Sequence, residues 1–469
     1  MSTMNEHHDL KRSMNSRHLF MISLGGVIGT GLFVGSGYTI SQAGPIGTII
    51  SYLVGGFIMY LTMLCLGELS VAMPVAGSFQ AYMTKFVSPS LGFAVGWLYW
   101  FGWAVTVALE LLSSGLMMQR WFPGSPVWMW CAIFGALLFL LNALSARAFG
   151  ETEFWFSSIK VSAIILFIIL GGAAMFGLIS MKGGQPAPML SQYINSPLLP
   201  NGITGLLLTM ITVNFSFQGT ELIGIAAGES KEPEKTIPRS IRTTVWRTLV
   251  FFVLAIFILA GLIPYTKAGV VESPFVAVFD SIGIPYAADI MNFVVLTALL
   301  SVANSGLYAA TRMLYSLSRT GMASHKLGLT NRKGIPMNAL LITFAISLLS
   351  LLSGFIAEET VFMVLLSVAG LGAQVGWISI SASQLAFRRQ YLKKGGKLED
   401  LKFKTPLYPF LPGLALVLNI VVLVSLAFDP SQRIALYGGV PFVIISILIY
   451  QFYFKNKRGD STESGENAV

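Results

Sequence analysis

Charge is scarce in this chain. Of its 469 residues only 11% are Asp, Glu, Lys or Arg, where soluble domains carry about 25%. Cysteine is scarcer still. Cys65 and Cys131 are the only two; both fall in apolar stretches, where small packing residues are expected rather than an extracellular disulfide. The four histidines, His7, His8, His18 and His325, lie in tails, loops or at the edge of an apolar stretch, so no metal-holding set is expected at membrane depth. No G-x-x-x-x-G-K-[ST] loop occurs, and "GGKLED" at 395–400 fails that pattern. A pump with its nucleotide site in this chain is disfavoured, and no cofactor is expected. The opening "MSTMNEHHDLKRSMNSRHL" has no short apolar core followed by small residues, so no cleavable signal peptide is expected.

What the chain has instead is apolar length. Hydrophobic residues make up 54%, and runs of 18 or more recur from end to end, the mark of a multi-pass helical membrane protein. The runs are too long and unbroken for barrel strands. Twelve spans are expected, near residues 18–40, 46–73, 91–118, 126–145, 155–178, 202–227, 246–266, 287–311, 337–355, 361–386, 408–428 and 435–454. With the N-terminus inside, 25 Lys and Arg fall on the cytoplasmic side, four fall outside, and Lys160 lies within a span. This bias sets both termini in the cytoplasm by the positive-inside rule. The net charge of +9 is thus a topology signal and needs no nucleic-acid partner. Nothing in the sequence sets an oligomeric state.

Glycine is concentrated where a membrane helix can least use it. "GGVIGTGLF" (25–33) puts four glycines in its first seven residues, in the middle of the first span, although each costs a helix interior roughly 1 kcal/mol relative to alanine. The pattern Gly-Thr-x-Leu in "GTGLFVG" (29–35) returns in "GTELIGI" (219–225), inside the sixth span. Five spans per repeat insert the second copy upside down, the layout of an inverted-repeat secondary transporter with interrupted helices meeting near the midplane. The plainer alternative is that Gly25, Gly26, Gly29 and Gly31 permit close helix packing.

Unwound segments free backbone groups, which are tolerated at membrane depth only against protein or a wet cavity. Free N–H groups at a half-helix start favour a carboxylate; free C=O groups at a half-helix end favour an ammonium. Two such breaks facing each other suit an α-amino acid. The expected contacts are Ile28, Gly29, Thr30 and Gly31 from the first break and Gln218, Gly219, Thr220 and Glu221 from the second.

Three long stretches, "SRHLFMISLGGVIGTGLFVGSG" (16–37), "NFSFQGTELIGIAAGESKEPEKTIPRSI" (214–241) and "ADIMNFVVLTALLSVANSGLYAATRMLYSLS" (288–318), resemble the amino-acid permeases of the APC superfamily. Within it the chain looks most similar to bacterial arginine/ornithine permeases, with lysine and S-methylmethionine permeases near by. The resemblance implies an all-α membrane protein of the LeuT-type fold. Ten core helices form a 5+5 inverted repeat, with helices 1 and 6 broken and two helices added. It also implies a proton-coupled importer of amino acids in the cytoplasmic membrane. The expected organisation is an N-terminal tail (1–17), a transport core (18–386, repeats 18–178 and 202–386), a basic loop (387–407), two additional helices (408–454) and a C-terminal tail (455–469).

Three charged residues stand out within spans. Lys160, in "FSSIKVSAIILFI", is costly at membrane depth and so functional by default, or else it snorkels to the interface from just past Trp155. The resemblance implies the first role. In some family members a span-five lysine stands where sodium-coupled relatives bind a cation, and Ser301, Asn304 and Ser305 then offer oxygens to the same proton-coupling site. Glu221 is read as a partner for a cation, a proton carrier, or a cap on freed N–H groups. Glu110, in "WAVTVALELLSSG", is read either as the counter-charge of a cationic substrate side chain or as a proton-linked or structural group.

Most aromatics, Trp97, Trp100, Trp103 and Phe217 among them, are expected to pack or anchor; Phe215, beside the second break, is expected to close over the substrate. Glu229 and Glu232 are expected to shape a cytoplasmic loop. "PVAGSFQAYMTKFVSPSLG" (74–92) is expected as a short helix along the membrane face, and "RRQYLKKGGKLEDLKFK" (388–404) as a solvated or lipid-facing loop. The expected partners are an amino acid, protons and lipid. A permease for S-methylmethionine or a neutral amino acid, or an exchanger, is the alternative. A membrane enzyme lacks convergent catalytic groups in its spans, and a sensor lacks tails long enough for an output domain.

Overall fold

A chain crossing hydrocarbon must satisfy its backbone groups internally, and the apolar segments accordingly fold as helices. The structure is a computed structural model. It describes residues 26–75, 77–144, 146–227, 233–269, 273–430 and 432–454. The tails, Glu229 and Glu232 lie outside the described residues.

The first break leads into a single turn, α1 (Thr30–Phe33), and then a long helix, α2 (Gly35–Ala72). The backbone of α2 turns at Gly44, φ 73°, just before Pro45. A short helix, α3 (Ser78–Tyr82), precedes α4 (Pro89–Met118), α5 (Val127–Leu144) and α6 (Ala146–Met175). The second interrupted helix comprises α7 (Gly202–Ser216) and α8 (Leu222–Ala226). After it come α9 (Pro233–Leu262), the short helix α10 (Pro274–Ser281), α11 (Ala287–Arg319) and α12 (Met337–Ser347). The last three are α13 (Glu358–Lys393), α14 (Phe410–Ser425) and α15 (Ile434–Ile449).

Ten helices among the described residues are long and apolar enough to cross a membrane, against twelve expected. The difference has two physical sources. The kink at Gly44 leaves the end of the first span and all of the second within one helix, and the break at 217–221 divides the sixth into two short pieces. At the centre stands α4, buried along nearly its whole apolar length and packed along α11 and α13.

Two connectors differ from expectation. The segment after α2 is helical, but Ser78, Phe79, Gln80 and Tyr82 are fully buried, and Phe79 meets the edge of Tyr99 at 4.5 Å. It is a wedge in the bundle rather than a helix lying on its face. The basic stretch 388–404 is not wholly solvated either. Arg388, on α13, is buried and forks onto the buried carboxylate of Glu68 on α2. Gln384 Nε2 at 2.9 Å and the Thr405 amide at 2.8 Å complete that carboxylate's shell. Lys402 pairs with Glu234 at the start of α9. Cys65 and Cys131 are free and buried.

Candidate functional site

The two breaks touch backbone to backbone. Residues 26–29 turn without helical bonding before α1, and 217–221 do the same between α7 and α8. Gly219 has φ 103°, and a Cβ there would lie 2.4 Å from the Gly26 carbonyl oxygen. Only glycine meets both demands, the left-handed backbone and the missing side chain. Gly31 is equally constrained, since its Cβ would lie 2.5 Å from Ser216 Cα. The stretch that weakens the first helix is therefore also the stretch that lets the second one approach.

Glu110 occupies the freed amide of the first break. Its carboxylate accepts the Thr30 N–H at 3.1 and 3.3 Å and the Thr30 hydroxyl at 2.8 Å, and the side chain is 1% exposed. Gly29 makes room for it, as a Cβ there would sit 2.9 Å from Glu110 Oε1. Beside this contact lies a small cavity of about 10 Å3, lined by Gly26, Gly29, Trp103, Glu110, Phe215 and Gln218, room for about one water. Both amide atoms of Gln218 are buried there without hydrogen-bond partners among the described residues. Buried polar atoms normally find partners, which marks these two as an exception in the bundle. Larger concavities exist, one of about 650 Å3 between α2 and α9, but they are apolar grooves on the outside of the bundle.

Glu221 does different work. It accepts the Gly219 N–H at 3.0 Å, the Tyr99 hydroxyl at 2.8 Å and Trp377 Nε1 at 3.2 Å. The carboxylate ties the second break to α4 and α13, and these bonds fit the capping alternative. Thr220 Oγ1 turns back to the Phe217 carbonyl at 3.0 Å. Ile28 is buried in the first break, and Phe215 lines the cavity from the last turn of α7.

Lys160 is fully buried on α6 rather than snorkelling to an interface. Its Nζ lies 3.9 Å from Glu153 Oε1, and Glu110 is the second carboxylate whose charge acts on it. Glu153 Oε1 accepts the Ser301 hydroxyl of α11, and Ser157 adds a longer bond of 3.4 Å. Asn304 Oδ1 accepts Asn142 Nδ2 at 2.7 Å. The Ser305 hydroxyl faces the same carboxylate, and Asn304 Nδ2 is buried without a partner among the described residues. The structure thus brings Lys160 to Glu153 and, through that carboxylate, to Ser301; Glu221 is bonded elsewhere.

The sequence points to two carboxylates within spans; the described residues bury five, Glu68, Glu110, Glu153, Glu221 and Asp429. Glu153 was legible in "GETEFWFSSIK". It stands seven residues before Lys160, two turns away on the same helical face. It is missed because the apolar run is taken to begin at 155. Glu68 carries no such local signal, its partner being 320 residues away. Among the described residues no group of His, Cys, Asp and Glu could hold a metal.

A membrane-crossing helical bundle whose two interrupted helices meet over buried polar groups has the architecture of a secondary transporter. The family model for amino acid permeases matches residues 18–462, and the chain belongs to that family. It is 67% identical over 451 residues to the amino-acid permease RocE of Bacillus subtilis (strain 168), covering 96% of this chain and 97% of the relative. It is 61% identical over 449 residues to a putative histidine permease of the same organism, covering 96% and 94%. With the lysine-specific permease LysP of Escherichia coli (strain K12) it shares 43% over 462 residues, covering 96% and 94%. The fold is accordingly the LeuT type, with a 5+5 inverted repeat and helices 1 and 6 broken, and the protein is a multi-pass amino-acid transporter rather than an enzyme.

Proposed function

We propose that the protein imports α-amino acids with cationic side chains, arginine or ornithine foremost, by proton symport and alternating access in the cytoplasmic membrane. The observation that carries this reading is the meeting of the two breaks, Gly26 against Gly219, over a pocket with unpartnered polar atoms and a desolvated carboxylate. The Thr30 amide takes the substrate carboxylate, and carbonyls of the unwound 217–221 segment take its ammonium. Gln218 and Trp103 supply the remaining polar contacts, and Phe215 closes the pocket. Glu110 supplies the negative charge that a guanidinium or ammonium side chain requires once water is excluded. The names of two relatives, lysine-specific and putative histidine permease, support a basic substrate.

On this reading Lys160 carries the coupling, with Ser301, Asn304 and Ser305 beside it, and Glu221 holds the second break. The repeats run over 18–178 and 202–386. Segments 1–17, 387–407 and 455–469 face the cytoplasm, and 408–454 adds two helices. Uptake of labelled amino acids by a transport-deficient host expressing the chain tests the substrate assignment. Arginine and ornithine are expected to enter, with leucine, proline and glutamate excluded. Uptake of a neutral amino acid with no competition from arginine, ornithine or lysine would overturn it.

A further inference from the structure

Three large apolar grooves run along the outside of the bundle, of about 650, 500 and 430 Å3, sizes usual for ligand sites. Among the described residues, one of them lies along α6, α10 and α11 and another along α4, α13 and α15, and neither has a charged side chain in its walls. The largest, between α2 and α9, does: Arg242 lines it with Trp246 of α9, Tyr60 of α2 and Phe403 of the basic linker.

The dimensions and the polarity of this groove run together. Its α2 wall extends from Leu53 to Leu64, a rise of about 16 Å, which is the depth of one leaflet of a hydrocarbon core about 30 Å thick. One end is basic. Phe403 packs there against Gly67, between Lys402 and Lys404 in the chain. Arg239, Arg242 and Lys404 are exposed, while Glu234, the acid at the start of α9, is taken by Lys402. Trp246, 67% exposed, stands one turn beyond Arg242, where an aromatic side chain marks the level of lipid headgroups. The other end reaches inward. A Cβ at Gly56 would lie 2.3 Å from Leu249 Cδ1 and 3.5 Å from the tip of Phe217, and Phe217 is a buried residue of the second break. Two side chains thus separate the groove from the segment that unwinds.

We propose that this groove holds one anionic phospholipid, its phosphate on Arg242 and an acyl chain laid between α2 and α9 behind the second break. An arginine stem can follow an apolar wall while its guanidinium stays at the polar level, and the planar fork pairs well with a phosphate. Arg239 and Lys404 add to the positive field that selects an anionic over a zwitterionic headgroup. The site is independent of which amino acid is carried.

The test uses the purified full-length protein, delipidated in a neutral detergent and titrated with phosphatidylglycerol whose acyl chains carry bromine, a contact quencher of tryptophan fluorescence. Saturable quenching is expected, at lower lipid concentration than with brominated phosphatidylcholine. Trp246→Phe should remove the saturable component. Arg242→Gln should weaken phosphatidylglycerol by about fivefold, the worth of one basic residue near an anionic headgroup, and leave phosphatidylcholine unmoved. Arg242→Lys, which keeps the charge, should keep the preference. Equal affinity for the two lipids overturns the proposal, because the groove then takes ordinary surrounding lipid. Saturable quenching that survives Trp246→Phe overturns it by placing the lipid elsewhere, and an undiminished preference in Arg242→Gln overturns the role of the arginine. Protein that sediments as a dimer with Trp246 shielded from both lipids overturns it in favour of a second copy of the chain.

Discussion

Glu110 and Thr30 hold each other across the first break: the carboxylate accepts both the backbone amide and the hydroxyl of the threonine. The amide freed at the first break is therefore satisfied by a carboxylate from α4.

Replacing that carboxylate separates charge from shape. Glu110→Gln keeps the size of the side chain and removes its charge. It is expected to weaken arginine binding by about 2–5 kcal/mol, the usual loss when one partner of a buried charge pair is removed. Neutral amino acids should then compete better than before. Equilibrium competition against labelled arginine reads the difference, and an unchanged arginine affinity would show that Glu110 serves the fold alone.

Gly31 offers a test of the contact between the two breaks. The sequence suggests that a side chain at 31 would fill space meant for a substrate carboxylate. The structure gives a different reason, because that side chain would run into the Ser216 backbone. Gly31→Leu is expected to force α1 and α7 apart and abolish uptake in protein that still reaches the membrane. Normal affinity in this variant would refute the close approach. Thr30→Leu, which removes the hydroxyl bonded to Glu110, should likewise abolish uptake.

The two arginine clusters should behave oppositely. Arg388 is buried and forked onto Glu68, so Arg388→Ala leaves a buried charge unpaired and should destabilise the protein by about 3–5 kcal/mol. Arg120 sits just past the C-terminal end of α4 with Asp280 and Asp289, all partly exposed. Partial burial works against its charge, but the two aspartates outweigh that and hold the guanidinium above its ordinary value. Arg120→Ala should cost only about 0–1 kcal/mol. Thermal unfolding in detergent ranks the two, and equal losses would contradict the assignment.

Lys160→Ala is expected to abolish proton-driven accumulation. The lysine is enclosed by protein and paired with Glu153, a position that an interface anchor does not occupy. Accumulation with wild-type pH dependence would remove it from the coupling.

Much of the fold was legible because the bilayer imposes a single length scale and the glycines of the two breaks are concentrated in two short motifs. The paired motifs at 29–35 and 219–225 led to the meeting point. Less legible were interactions that depend on distant partners. Nothing local to Glu68 announces Arg388. Nothing in "GTELIGI" tells that Glu221 bonds Tyr99 and Trp377 instead of reaching Lys160. Burial of Phe79 and Tyr82 likewise depends on helices that the segment 74–92 does not contain. Glu153 was readable in principle, by helical spacing from Lys160, but polar residues at the start of a span look like its end.

The most direct measurement of the central claim is arginine accumulation by proteoliposomes under an imposed inward proton gradient, repeated after the gradient is collapsed and with unlabelled competitors. The account predicts accumulation that disappears with the gradient and is suppressed by ornithine and lysine but not by leucine, proline or glutamate. Arginine movement that persists unchanged without the gradient, or that only neutral amino acids suppress, would contradict it.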